Sequence, residues 1–217
     1  MSAPTWKRHL RFRWSLLILF TLTVGCAIGV KVRHKARKDA YRSLVAALFA
    51  DDPRLAEQCL DLRPELARCW WPEIGTSLHL AAALGSPEVA GLLIRKGANV
   101  NAVNDAGRTP LHRTCEAWAV ADCPPRFAVA RVLIRGNADV NAGDDYGETP
   151  LHFLFYLENA SRPWPQRVAI AKLFIDNGAN LRAKNVFGDE PLQVAANVAA
   201  SDREEVLSYA AKKRAGK

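Results

Sequence analysis

The chain has 217 residues, 49% of them apolar, and a formal charge of +8. That much apolar material excludes wholesale disorder, and the length suits one large or two small domains. The positive charge does not describe the whole chain: nine of the 30 Lys/Arg residues lie in residues 1–38, which hold no acid, and the remaining 21 face 22 Asp/Glu, a net of −1.

Residues 1–13 form a basic tail, and residues 14–30 (WSLLILFTLTVGCAIGV) carry no charge. As a helix this stretch covers about 25 Å, at the short end for a bilayer core of about 30 Å. Trp14 and the flanking long cations can snorkel to close the gap. Only Ser15, Thr21 and Thr23 are polar, too few for the wet face of a core helix. The stretch therefore predicts one transmembrane helix or signal anchor that contacts the lipid bilayer. A cleavable signal would use the small residues Ala27 and Gly29. Five cations between Lys31 and Lys38 oppose export of that end, which favours an uncleaved anchor, with residues 31–39 as a basic linker. With four cations before the stretch and five after it, its orientation stays open.

From residue 40 onward the chain repeats itself. TSLHLAAALG starts at Thr76, TPLHRTCEAW at Thr109, TPLHFLFYLE at Thr149 and EPLQVAANVA at Glu190, at spacings of 33, 40 and 41 residues. Each of the first three leads into an apolar-periodic segment and then a Gly/Asn turn: LLIRKGANVNAVNDAGR, VLIRGNADVNAGDDYGE and LFIDNGANLRAKNVFGD. Thr before Pro suits a helix N-cap followed by its first residue, where the missing N–H costs nothing. Ala81 and Ala82 let neighbouring helices approach, Val89, Leu92 and Leu93 mark a buried face, and Gly97 suits a left-handed helix stop. No such unit buries its apolar face alone, so stability must come from stacking.

These motifs resemble the ankyrin repeat, over about four-fifths of the chain. The resemblance implies an all-α ankyrin-repeat solenoid of paired helices and β-hairpin-like fingers, here preceded by the membrane helix. The units run over residues 40–75, 76–108, 109–148, 149–189 and 190–214, the first one divergent and the last a charged outer cap. It also implies that His79, His112 and His152 are structural, bonding nearby backbone and Thr.

The longer spacings place seven and eight extra residues between the two helices of the third and fourth units, within AWAVADCPPRF and ENASRPWPQR. Trp118, Phe127 and Trp164 form a candidate aromatic ledge there, against the alternative that they simply close the longer loops. Cys115 aligns with Ala82 and reads as a small buried hydrophobe. Outside the cytoplasm, Cys59–Cys69 and Cys115–Cys123 pairs are conceivable. Phe153, Leu154 and Phe155, where Leu-Ala-Ala is usual, predict wider helix spacing in the fourth unit.

The sequence contains no nucleophile elbow, phosphate-binding Gly loop, HExxH or paired-carboxylate arrangement. No catalytic activity, cofactor, metal or small-molecule substrate is expected, and no nucleic-acid partner, since a phosphate-binding surface needs clustered cations. The resemblance implies a protein partner met by finger tips and the exposed side of first helices. Carried over by position, the candidate contacts are Asp105, Glu116, Asp145, Tyr146, Tyr156, Val186 and Phe187, with Tyr146 foremost. The expected function is thus a membrane-anchored protein-interaction module. The rival is a structural or protective accessory subunit of a membrane or exported enzyme, without a recognition role of its own.

Overall fold

A computed structural model of the protein describes residues 35–72, 74–116, 126–155, 167–194 and 200–215. The apolar run at 14–30 lies outside the described residues, and no described helix is long and apolar enough to cross a membrane. The chain divides into two compact units, Met1–Ala40 and Tyr41–Lys217. Of the first unit, only the opening turns of helix α1 (Lys35–Ala50) are described. That helix begins within the stretch read as a linker, because Lys35 to Ala40 contain no helix breaker.

The second unit is a stack of helix pairs. Asp52 caps α2 (Pro53–Leu62), its carboxylate accepting from the backbone N–H of Arg54 and Leu55. A 3-10 helix (Pro64–Arg68) then leads into β1 (Trp70–Trp71), which pairs antiparallel with β2 (Gly75–Thr76) in the register Trp70↔Thr76. This is the one strand pair among the described residues. Helices α3 (Ser77–Leu84) and α4 (Pro87–Arg95) form the next pair, followed by α5 (Pro110–Cys115) with α6 (Arg126–Arg135) and α7 (Pro150–Phe155) with α8 (Arg167–Asp176). The two insertions fall between α5 and α6 and between α7 and α8, where the repeat spacing puts them. Trp118, Cys123 and Trp164 lie in them, outside the described residues, as does Tyr156 just ahead of the second insertion.

The last unit differs from the others. Residues 191–194 form turns, although the Gln193 side chain still accepts from the N–H of Glu190 as the histidines do in their units. Helix α9 (Ala200–Ala215) packs on α8 through Val206 and Ala210, and exposes Glu204, Glu205 and Leu207. Lys172 and Asp176 of α8 pair with Glu205 and Lys213 of α9.

The core runs between the helix layers. Leu78, Val89, Leu93, Leu111, Leu133, Leu151, Ile170 and Phe174 are fully buried. Cys115 is equally buried, and burial pushes its thiol pKa up to about 12. It and Cys59 are free thiols, so neither conceivable pairing is made. Phe153, Leu154 and Phe155 are all buried, Phe153 edge-on against the His112 ring at 5.3 Å. Neighbouring turns are tied by side-chain amides. Asn101 bonds the Asn137 carbonyl and the Asp139 N–H, and Asn141 bonds the Gly178 carbonyl and the Asn180 N–H one unit on.

Candidate functional site

The fingers follow the helix pairs, and the same device shapes each one. Backbone N–H of Asn104, Asp144 and Asn185 reach back to the carbonyls of Arg108, Glu148 and Asp189 at 3.0, 2.9 and 3.1 Å, closing three equivalent turns. Inside each turn the first residue's side-chain oxygen accepts two backbone N–H groups. Asn104 Oδ1 takes Ala106 and Arg108, Asp144 Oδ1 takes Tyr146 and Glu148, and Asn185 Oδ1 takes Phe187 and Asp189, all at 2.9–3.0 Å. Each finger is therefore a tight turn braced from inside by a side chain.

Each finger is also fastened to the helix before it. His79, His112 and His152 accept at Nδ1 from the backbone N–H of Thr76, Thr109 and Thr149, at 3.0 Å in every case. At Nε2 they meet the carbonyls of Arg108, Glu148 and Asp189, at 2.8, 2.9 and 3.1 Å. A carbonyl only accepts, so Nε2 carries the proton and Nδ1 is free to accept. Burial lowers the His79 and His112 pKa to about 4, which keeps both rings neutral at pH 7. These rings thus cap one helix and hold the base of the next finger, the structural role the resemblance implies.

Successive fingers join at their tips. Asp145 N–H donates to the Ala106 carbonyl at 3.2 Å, and Val186 N–H to the Tyr146 carbonyl at 2.9 Å. Gly107 allows the first approach: it has φ +70, and a Cβ there would lie 2.7 Å from the Asp145 backbone nitrogen. Tyr146 and Phe187 occupy one repeat position, three residues before Thr149 and Glu190. Joining the fingers brings their rings to 6.5 Å between centroids at 17°, an offset stack. Tyr146 is still 52% exposed and Phe187 69%. Val186 is exposed as well, and so is Val103, beside Asn104 of the first finger. Phe187 does not fill a groove between units.

The other candidates separate. Asp105 and Asp145 are exposed on the fingers. Glu116 is not presented outward: its side chain is 11% exposed, and it pairs with Arg108 at 3.3 Å and with Arg113. Tyr156 lies outside the described residues, as do Trp118 and Trp164 of the proposed ledge. Phe127, its third member, is half-buried, with the Arg131 guanidinium 5.9 Å from its ring.

Arg108 is the residue that sequence reasoning passed over. Its guanidinium bridges Glu116, the residue that follows α5, and Asp144 in the next finger (3.4 Å), and lies 4.6 Å over the Phe153 ring on α7. It fixes the finger that carries Tyr146 against two helices. A signal was present: Arg108 stands where the next two units have Glu148 and Asp189, a reversal of charge at one repeat position.

A family model of ankyrin repeats (3 copies) matches residues 78–161. Two curated plant proteins are similar over 73 residues at 40% identity: the E3 ubiquitin-protein ligase XBAT33 of Arabidopsis thaliana and the probable E3 ubiquitin-protein ligase XBOS33 of Oryza sativa subsp. japonica. The match covers 33% of this chain and 14% of each relative, so the chain spans about one-seventh of the length of the relatives it matches. Residues 78–161 are ankyrin repeats; beyond them come the braced turn at Asn185 and the Gln193 bond to the Glu190 N–H.

Proposed function

We propose that this protein is a membrane-anchored ankyrin-repeat module that binds another protein through its finger tips, and that it is not an enzyme. Ankyrin repeats suggest protein–protein interaction. The observation that carries the choice of surface is the exposed, stacked Tyr146–Phe187 pair, with the exposed Val186 next to Phe187 in the chain. Aromatic rings held in place before binding lose little rotamer freedom when covered, which is how a few residues dominate an interface. The ligase activity named for the plant relatives belongs to proteins of which this chain covers 14%, and it forms no part of the proposal.

The anchor rests on the uncharged residues 14–30 between two basic runs. Resistance of the full chain to alkaline carbonate extraction tests it; release into the soluble fraction would refute it. The binding surface is tested with full-length protein immobilised in detergent and compared with Tyr146→Ala/Phe187→Ala. Proteins captured by the parent and lost from the folded variant support the finger surface. Equal capture by both refutes it and leaves the accessory-subunit reading.

A further inference from the structure

The three finger turns share one shape but differ in what lies beyond them. A Cβ on Gly107 would lie 2.7 Å from the backbone of the second finger, and one on Gly147 would lie 3.6 Å from the backbone of the third. At Gly188, the same position of the third finger, a Cβ would meet nothing within 4 Å. The backbone ladder between tips stops at the same place. The Ala106 and Tyr146 carbonyls accept from the N–H of Asp145 and Val186, whereas the Phe187 carbonyl accepts no bond among the described residues. The amide clamps stop there too. Asn101 and Asn141 each hold the following unit, and their counterpart in the third is Arg182. The row of fingers thus ends in an open edge.

That edge has its own chemistry. Arg182, Lys184, Val186 and Phe187 are all exposed. Neither Arg182 nor Lys184 forms an ion pair among the described residues. On the two earlier tips the exposed charges are Asp105 and Asp145. The row is acidic where it is continued and basic where it is open. The ladder also sets the register of an added segment. Val186, which donates, directly precedes Phe187, whose ring stacks on Tyr146. A segment that repeats this step donates one backbone N–H to the Phe187 carbonyl and lays its next side chain on the Phe187 ring. Flanking carboxylates then meet Arg182 and Lys184. Extended peptides on open backbone edges are held in this way, by main-chain bonds for affinity and by side chains for selection.

We propose that the open edge of the third finger takes an extended acidic segment of the partner protein, with an aromatic residue seated on Phe187. This rests on the finger-tip reading above and names the class of its ligand. The probe is fluorescein-labelled Glu-Asp-Val-Phe-Glu-Asp, followed by anisotropy with the full chain in detergent at low salt. Saturable binding is expected. It should weaken roughly tenfold in Arg182→Glu/Lys184→Glu. The urea midpoint of that variant should match the parent, since neither side chain has a partner to lose. Methylating the valine nitrogen of the probe, which leaves the protein untouched, should weaken binding about fivefold. A Lys-Lys-Val-Phe-Lys-Lys probe should not bind. Absence of saturable binding, equal binding of the two probes, or indifference to charge reversal and methylation would overturn the inference. Partner capture separates it from the reading beneath. Capture lost in Tyr146→Ala/Phe187→Ala but kept in Arg182→Glu/Lys184→Glu overturns the acidic segment and leaves the finger surface standing. Capture kept in both variants overturns both.

Discussion

Asp144 and Tyr146 are two residues apart in one finger and do opposite things. Asp144 is buried, and its carboxylate accepts two backbone N–H groups and meets Arg108. Tyr146 is more than half exposed and touches its neighbour Phe187. The same contrast runs through the fingers before and after it, with Asn104 and Asn185 buried at the base and Asp105, Val186 and Phe187 exposed at the tips. The base sets the position of the tip, so mutations at the two places should separate stability from recognition.

The largest effect should come from protonating the base. His79 and His112 have folded pKa values of about 4, below the unfolded value of about 6.5. Between those values the unfolded chain binds more protons, so stability is complete above about pH 6.5 and is lost as pH falls toward 4. The loss is on the order of 3 kcal/mol per ring. Urea unfolding at a series of pH values measures it, and His112→Gln, which copies the Gln193 arrangement, should roughly halve the slope.

Replacing His112 with Ala removes the cap on α5 and the bond to the Glu148 carbonyl, and leaves a hole beside Phe153. A loss of about 4 kcal/mol is expected in denaturant unfolding at pH 7. Asp144→Ala should cost about 2 kcal/mol, because two buried N–H groups lose their acceptor. Asp144→Asn should cost less than about 1 kcal/mol, since Asn104 and Asn185 do the same work in the adjacent fingers. If Asn is as damaging as Ala, the bridge to Arg108 outweighs the turn bonds. The smallest change in stability belongs to the tips. Tyr146→Ala should stay within about 0.5 kcal/mol in the same unfolding experiment, while abolishing partner capture. A large drop in stability would show that the aromatic pair belongs to the scaffold.

Much of the fold was legible because each element is specified locally. Thr-Pro at a helix start, His three residues after the cap and a left-handed stop are short-range patterns. The Gly97 alignment even extends to Asn137, which takes φ +72 where Gly97 and Gly178 take +85 and +87. Positional reading of the fingers likewise put Tyr146 and Phe187 at one repeat position. It failed at Glu116, placed among the outward contacts from its helix position alone. Arg113, three positions before it, is within reach by local spacing alone, whereas Arg108, eight positions before it, is brought to its carboxylate by the path of the finger. Arg108 was missed because its partners lie just past α5, in the following finger and on α7.

The sequence by itself determined the repeat, its register, the places of the two insertions and the burial of Cys115. Each follows from residue type at a recurring spacing, which local caps and turns read directly. Only the tertiary structure decided that the fingers are turns braced by Asn104, Asp144 and Asn185, that Tyr146 and Phe187 stack while remaining exposed, and that Glu116 is taken up by arginines. The stack depends on a distance between units 41 residues apart, which packing sets and spacing does not; the braces and the Glu116 pairs are short-range, and they turn on the backbone path of each finger, which residue type alone does not give.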